Sequence, residues 1–154
     1  MSDGADGADG AAALALSGIH GSTVAFGPDR GVLIVGGSGT GKSVLALQLM
    51  ALGARLVADD RTRLHRQGDR LIATAPPNLQ GLIEARGVGL IRVAALAEAA
   101  LVLAIDMDLV EQHRLPPHHS RSWLGIALPL LHKVEQSHCP AAIVHYIGAM
   151  TMDL

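Results

Sequence analysis

Gly31-Val32-Leu33-Ile34-Val35-Gly36-Gly37-Ser38-Gly39-Thr40-Gly41-Lys42-Ser43 is the stretch that decides the fold. Its first five residues form an unbroken apolar run, and Gly36 to Ser43 fit G-x-x-x-x-G-K-[ST], the phosphate-binding loop. Glycines there let successive backbone N–H groups turn inward around a polyphosphate with no side chain in the way. Lys42 brings a point charge for the β- and γ-phosphates, and Ser43 brings a hydroxyl for Mg²⁺. A helix is predicted from Ser43 to about Leu52, stopped by Gly53 and aiming the positive end of its dipole at the same phosphates. The motif alone also fits a glycine-rich turn that binds nothing. The apolar strand before it and the helix after it are what favour phosphate.

Working outward, Arg55-Leu56-Val57-Ala58 reads as a short strand ending in Asp59-Asp60. Strand, loop, helix and returning strand make a βαβ unit, which places both strand tips on one sheet edge and both acids near the loop. Two adjacent carboxylates allow one to serve a metal shell while the other takes a proton from an attacking hydroxyl. Leu101-Val102-Leu103-Ala104-Ile105-Asp106 is a competing strand with a terminal acid, read in preference as a plain strand end. Glu84, inside the apolar run Leu82 to Ile91, needs Arg86, a metal or a raised pKa to offset its burial. His113, His118, His119 and His132 occupy a proline-rich region without a recognisable zinc-ligand spacing. Arg114 and Arg121 fit a role against phosphate or substrate charge better than those histidines fit a metal.

Composition bounds the rest. The 154 residues make one domain with a real core, drawn from aliphatic residues because Phe26, Trp123 and Tyr146 are the sole aromatics. A net charge of −2 gives no electrostatic footprint for nucleic acid or membrane, and no apolar run spans a bilayer. One cysteine, Cys139, and the absence of a signal-like N-terminus fit a cytoplasmic protein. Residues 1–12, rich in Gly, Asp and Ala, are expected to be a disordered acidic tail, with the domain at 13–154. Ala13–Gly18 and Thr23–Phe26 read as two short strands around Ile19 to Ser22, and Arg61–Ala73 as a polar hairpin turning at Gly68-Asp69. A short helical segment is possible between Pro76 and Gln80. Val93–Ala100 favours helix, Leu101–Ile105 reads as a buried strand closed by Asp106, and His113–Trp123 as a loop. Gly125–Leu131 reads as strand, and Pro140 opens a last amphipathic helix.

Several of these segments together resemble the catalytic domain of the bacterial HPr kinase/phosphorylase family. The family's G-x-S-G-x-G-K-S loop is present at Gly36–Ser43, its R-L-[VI]-A-D-D segment at Arg55–Asp60, and its L-L-E-I-R-G-x-G-I-I signature at Leu82–Ile91. An upstream H-G pair is present as His20-Gly21, so the resemblance spans residues 19–93 and thins beyond them. It implies a phosphate-loop-containing, phosphoenolpyruvate-carboxykinase-like α/β fold with a mixed sheet and few helices. It implies transfer of phosphate from ATP, with Mg²⁺, to a serine of an HPr-like phosphocarrier of the sugar phosphotransferase system. Many members also reverse this by phosphorolysis.

Carried over residue by residue, Gly36 to Ser43 would bind the nucleotide, Lys42 would hold the β/γ-phosphates, and Ser43 with Glu84 would bind Mg²⁺. Asp60 would be the general base, with Asp59 beside it and His20 placing the reacting groups. Arg114 matches a family arginine weakly. A short form without the family's separate N-terminal domain is expected, and no F-G-A-G-like stretch follows the signature. The family's basic P-[VR]-x-P-G-R-N loop is replaced by Lys133–Pro140. The resemblance is therefore to a short form, for which homo-oligomerisation stays open and phosphorylase activity is doubtful. The alternative is an ATP-binding regulatory module with little turnover. A small-molecule kinase or GTPase finds less support, since no N-K-x-D base-reading motif is present.

Overall fold

The computed structural model describes residues 15–150. The predicted tail, residues 1–12, lies outside them. In order, the chain forms β1 (Ala15–Ala25), β2 (Gly31–Val35), α1 (Lys42–Ala51), β3 (Arg55–Ala58), β4 (Arg61–Gln67), β5 (Arg70–Thr74), β6 (Leu82–Ala85), β7 (Gly89–Arg92), β8 (Glu98–Val110), β9 (His119–Trp123), β10 (Ile126–Lys133) and α2 (Cys139–Met150). The predicted α/β class with few helices is what is found.

Eight strands form one mixed sheet in the order β2-β1-β4-β5-β8-β10-β9, with β3 added beside β1 and β6–β7 a separate hairpin. Because β2 also pairs with β8, in parallel, the path β2-β1-β4-β5-β8 closes on itself. Inside the closure sit Leu33, Val57, Leu64, Leu71, Leu101 and Ala104, joined by Trp123, Leu128 and Leu130 from β9, the turn after it and β10. On the outer face α1 and α2 pack Leu45, Leu49, Ile143 and Ile147 against Val32, Ile34, Leu56, Leu103 and Ile105. β2 is thus covered on both faces and paired on both edges, which is why Gly31–Val35 is apolar without alternation and wholly buried.

β2 and β3 flank β1, each antiparallel to it, so the loop strand and the returning strand run parallel with one strand between them. The predicted placement of their tips on a common edge holds. The Arg61–Ala73 hairpin is β4–β5, turning at Gly68-Asp69 as expected.

Five expectations change. The two strands read around Ile19 to Ser22 are one strand, β1. Its register shifts between Leu16 and Ile19 and again between Thr23 and Val24, and its first half pairs with β4 while its second pairs with β2 and β3. Gly18 at φ +79 supplies the kink. Residues 76–80 form turns, with Asn78 at φ 69, and no helix. Val93–Ala100 is not helical either. Its backbone is held by Leu56 on both sides (Leu56 N–H to the Ala94 carbonyl at 3.1 Å, Leu96 N–H to the Leu56 carbonyl at 2.9 Å), and tertiary pairing overrides alanine's helix propensity. Finally, β8 continues through Asp106 to Val110, and His119–Trp123 of the predicted loop is strand β9.

Candidate functional site

The loop leaves β2 at Gly36 and enters α1 at Gly41. Gly41, at φ 101, takes a left-handed conformation that a side chain would strain, and it caps α1 without any side-chain hydrogen bond. The first N–H groups of the helix therefore have no side-chain partner there. A Cβ at Gly36 would stand 2.8 Å from Thr40 Oγ1, so a side chain at Gly36 would force the loop to shift. The Gly37 carbonyl accepts from Thr40 Oγ1 at 2.7 Å and from Lys42 Nζ at 2.8 Å. Lys42 is 6% exposed, and no ion pair to a carboxylate is found for it among the described residues. A buried ammonium with one carbonyl partner has two N–H donors left and an uncompensated charge, which is costly unless an anion joins it.

Asp59 and Asp60 face different partners. Asp59 Oδ1 accepts from Ser43 Oγ at 2.8 Å and from Ser22 Oγ at 2.9 Å, while Oδ2 accepts from the Glu84 N–H at 3.3 Å. Asp60 stands at φ 64 where the chain reverses from β3 into β4. Aspartate is among the residues that tolerate this region. The reversal sends its carboxylate to His20 Nε2 at 3.2 Å, with both side chains largely exposed. The Gly21 N–H bonds the Asp60 carbonyl at 3.0 Å and the Asp60 N–H bonds Ser22 Oγ at 3.1 Å, so β1 holds the reversal in place.

Ser38, Gly39, Gly41, Lys42, Ser43, Asp59, Asp60, Glu84 and Arg86 line one cavity of about 360 Å³. Gly36, Gly37 and Thr40 build the loop behind it. The structure thus brings together the predicted loop, both acids and Glu84, with His20 joined through Asp60. Ser43, Asp59 and Glu84 present oxygen donors alone, the set a hard cation such as Mg²⁺ takes.

Glu84 corrects the sequence reading. Leu82–Ala85 is one strand of a hairpin, in which Ile83 is fully buried and Glu84 is exposed. Period-two alternation turns the carboxylate out to the cavity mouth, so no burial cost has to be offset. No Glu84–Arg86 ion pair is found among the described residues. Arg114 lies exposed between β8 and β9 and is not among the cavity-lining residues.

Asp106 is no strand terminus. It is buried and accepts from Arg121 Nη2 at 2.5 Å, and Arg121 in turn lies over the Trp123 ring at 5.9 Å. This partner makes a mid-strand acid tolerable and removes Arg121 from the role of free phosphate ligand.

Three contacts escaped the sequence reading. Asp108 Oδ1 accepts from the Gly37 N–H at 3.0 Å, Lys133 Nζ donates to the Thr40 carbonyl at 2.9 Å, and Ser22 bridges to Asp59. The Asp106-x-Asp108 alternation was a signal for the first, available to a reading that continued the strand. Cys139 is half-buried, and burial pushes its thiol up, as for a packing residue.

A phosphate-loop motif between a buried strand and a helix, facing two acids at the tip of the next strand, defines the class: an α/β domain built around that motif. Comparison with known proteins gives the family. The family profile described as HPr Serine kinase C-terminal domain matches residues 13–110. The chain belongs to that family. It is 52% identical over 90 residues to the HPr kinase/phosphorylase of Shouchella clausii, covering 53% of this chain and 29% of that protein. It is 42% identical over 99 residues to the HPr kinase/phosphorylase of Brevibacillus brevis, covering 62% of this chain and 32% of that protein. The matches span under a third of the length of these relatives. Among solved structures, the Hpr(Ser) kinase/phosphatase from Coxiella burnetii superposes with a TM-score of 0.70 at 26% identity, over 85% of this chain and 93% of that one. Among the described residues, no helix is long and apolar enough to cross a membrane.

Proposed function

We propose that this chain is an ATP- and Mg²⁺-dependent kinase that phosphorylates a serine of an HPr-like phosphocarrier protein in the cytoplasm. One observation carries the reading: the adjacent acids are directed apart, Asp59 to Ser43 of the loop and Asp60 to the solvent-exposed His20. That division suits a metal-side acid and a proton acceptor. Backbone N–H groups of Gly36 to Ser43 and the Lys42 ammonium hold the β/γ-phosphates. A bound Mg²⁺ would supply positive charge against the negative charge that develops on the transferring phosphoryl group. Ser43 and Glu84 would hold it through their oxygens, with Asp59 orienting Ser43 by accepting from its hydroxyl. Asp60 accepts the serine hydroxyl proton as that oxygen bonds to the γ-phosphorus, the bond from that phosphorus to the β,γ-bridging oxygen breaks and ADP leaves, while His20 fixes the orientation of the Asp60 carboxylate. Arg114, exposed as it is, is left to the docking carrier. The family names carried by the relatives support the choice of carrier.

Glu84→Gln tests the metal assignment. A neutral amide is a weaker ligand than a carboxylate, so the Mg²⁺ concentration for half-maximal transfer should rise about tenfold or more while ATP binding persists. An unchanged Mg²⁺ dependence would remove Glu84 from the metal shell.

The reverse reaction should be weak. Phosphorolysis requires inorganic phosphate to attack a phosphoserine, releasing the serine hydroxyl and pyrophosphate, with two anions held together. In the segment that replaces the family's basic loop, Lys133 is already engaged by the Thr40 carbonyl, Glu135 has the wrong sign and Gln136 and Ser137 are neutral. With serine-phosphorylated carrier and millimolar phosphate, pyrophosphate should form far more slowly than the forward transfer runs. Comparable rates would show that the basic loop is dispensable.

A further inference from the structure

Outside the cavity, one cluster of metal-ligating side chains has no part in the site just described. β10 lies between β8 and β9, and its Leu130 pairs with His119, the first residue of β9. His132 is two residues further along β10, so it stands on the same face as Leu130 and His119 as their diagonal neighbour. The two imidazole rings accordingly stack, with centroids 4.3 Å apart and planes 14° from parallel. Glu111 reaches the same spot from the end of β8, where its N–H bonds the Lys133 carbonyl at 2.8 Å.

The Glu111 carboxylate is divided between two tasks. Oε2 accepts from the Gln112 N–H and the His113 N–H, each at 3.0 Å, and faces His113 Nδ1 at 3.3 Å. Oε1 faces His132 Nδ1 at 3.8 Å, too far for a hydrogen bond. Anchored by its first oxygen, the carboxylate holds its second toward the stacked imidazoles. One ligand atom from each of Glu111, His119 and His132 lies within 4.8 Å of the others. Donors around a tetrahedral Zn²⁺ lie about 3.4 Å apart, so the set closes on an ion when the donors move inward and the stacked imidazoles rotate to aim both in-plane lone pairs at it. The neighbouring charges on this face, Asp106 and Arg121, already neutralise each other.

We propose that Glu111, His119 and His132 form a binding site for a divalent transition-metal ion of the zinc class. Two imidazoles and one carboxylate leave a fourth position open to solvent, a pattern of exchangeable rather than structural sites. Nitrogen donors exclude Mg²⁺, which prefers oxygen and water, so this site and the oxygen-lined cavity select different ions. None of the three residues lines that cavity. The proposal reverses the sequence reading, in which the histidines lacked a ligand spacing. The spacing is absent along the chain because three strands bring the ligands together.

The test is Zn²⁺ binding to the tag-free full chain by equilibrium dialysis, with millimolar Mg²⁺ present to saturate oxygen-only sites. One Zn²⁺ per chain is expected, and His119→Gln and His132→Gln should each weaken binding at least about tenfold. Asp59→Asn should leave it unchanged. All three side chains are at least partly exposed or line a cavity, so the variants should fold; far-ultraviolet circular dichroism checks this. On the unaltered chain, Zn²⁺ should also protect His119 and His132, more than exposed His118, from acylation by diethylpyrocarbonate read by mass spectrometry. No bound Zn²⁺, binding indifferent to both histidine variants, or equal protection of His118 would overturn the proposal.

Discussion

Asp60→Asn should lower phosphate transfer roughly 10²–10⁴-fold while ATP binding stays near that of the unaltered chain. Asparagine keeps the side chain's shape but cannot take the serine proton. The backbone should not object, because Asp60 sits at φ 64 and asparagine tolerates that left-handed region as well as aspartate does. The His20 contact survives as a neutral hydrogen bond, and Asp59 with its Ser43 contact is untouched. Single-turnover transfer and calorimetric ATP binding, measured on the same preparation, separate chemistry from binding. Asp106→Asn is the comparison. Asp106 is buried beside Arg121, so its replacement should act through stability, seen as a lower melting temperature. Greater loss of transfer from Asp106→Asn in the folded protein would move the base to the other acidic strand.

Lys42→Ala should separate stability from binding in the opposite direction. In the unliganded chain the Lys42 ammonium is buried with a single carbonyl partner, so truncation removes an uncompensated charge. The melting temperature should hold or rise. ATP affinity should fall about 10–100-fold, the loss expected for a charge-assisted hydrogen bond of about 1.5–3 kcal/mol. A residue that weakens the empty protein and strengthens the occupied one belongs to function rather than to the fold. Thermal melts with and without ATP check both signs. Lost stability with unchanged affinity would make Lys42 structural and remove the phosphate-loop assignment with it.

Signals carried by short segments were legible in the sequence. The loop, its flanking strand and helix, the β3 tip and the β4–β5 turn all depend on local rules, namely glycine conformations, apolar runs and turn chemistry. Relations set by distant pairing were not. Leu56 holds the alanine-rich Val93–Ala100 out of helix through bonds that cross the sheet. Asp106 looked like a strand end because its partner, Arg121, is on β9. Glu84 seemed buried because its neighbours are apolar, whereas a hairpin turns alternate residues to opposite faces. The candidate site divides the same way. Lys42, Ser43, Asp59 and Asp60 were recognisable by type and position, but the opposed directions of the two acids follow from the reversal at Asp60. The Asp108 contact to Gly37 requires β8 to run past the point where its apolar pattern ends.

The most direct test of the central claim is transfer of label from γ-labelled ATP to an HPr-like carrier protein, with the modified residue located by mass spectrometry. The account predicts Mg²⁺-dependent, stoichiometric label on one serine of the carrier, appearing roughly 10²–10⁴-fold more slowly with Asp60→Asn. A chain that binds ATP with Lys42 intact but leaves the carrier unlabelled would contradict it, and would identify an ATP-binding regulatory module instead.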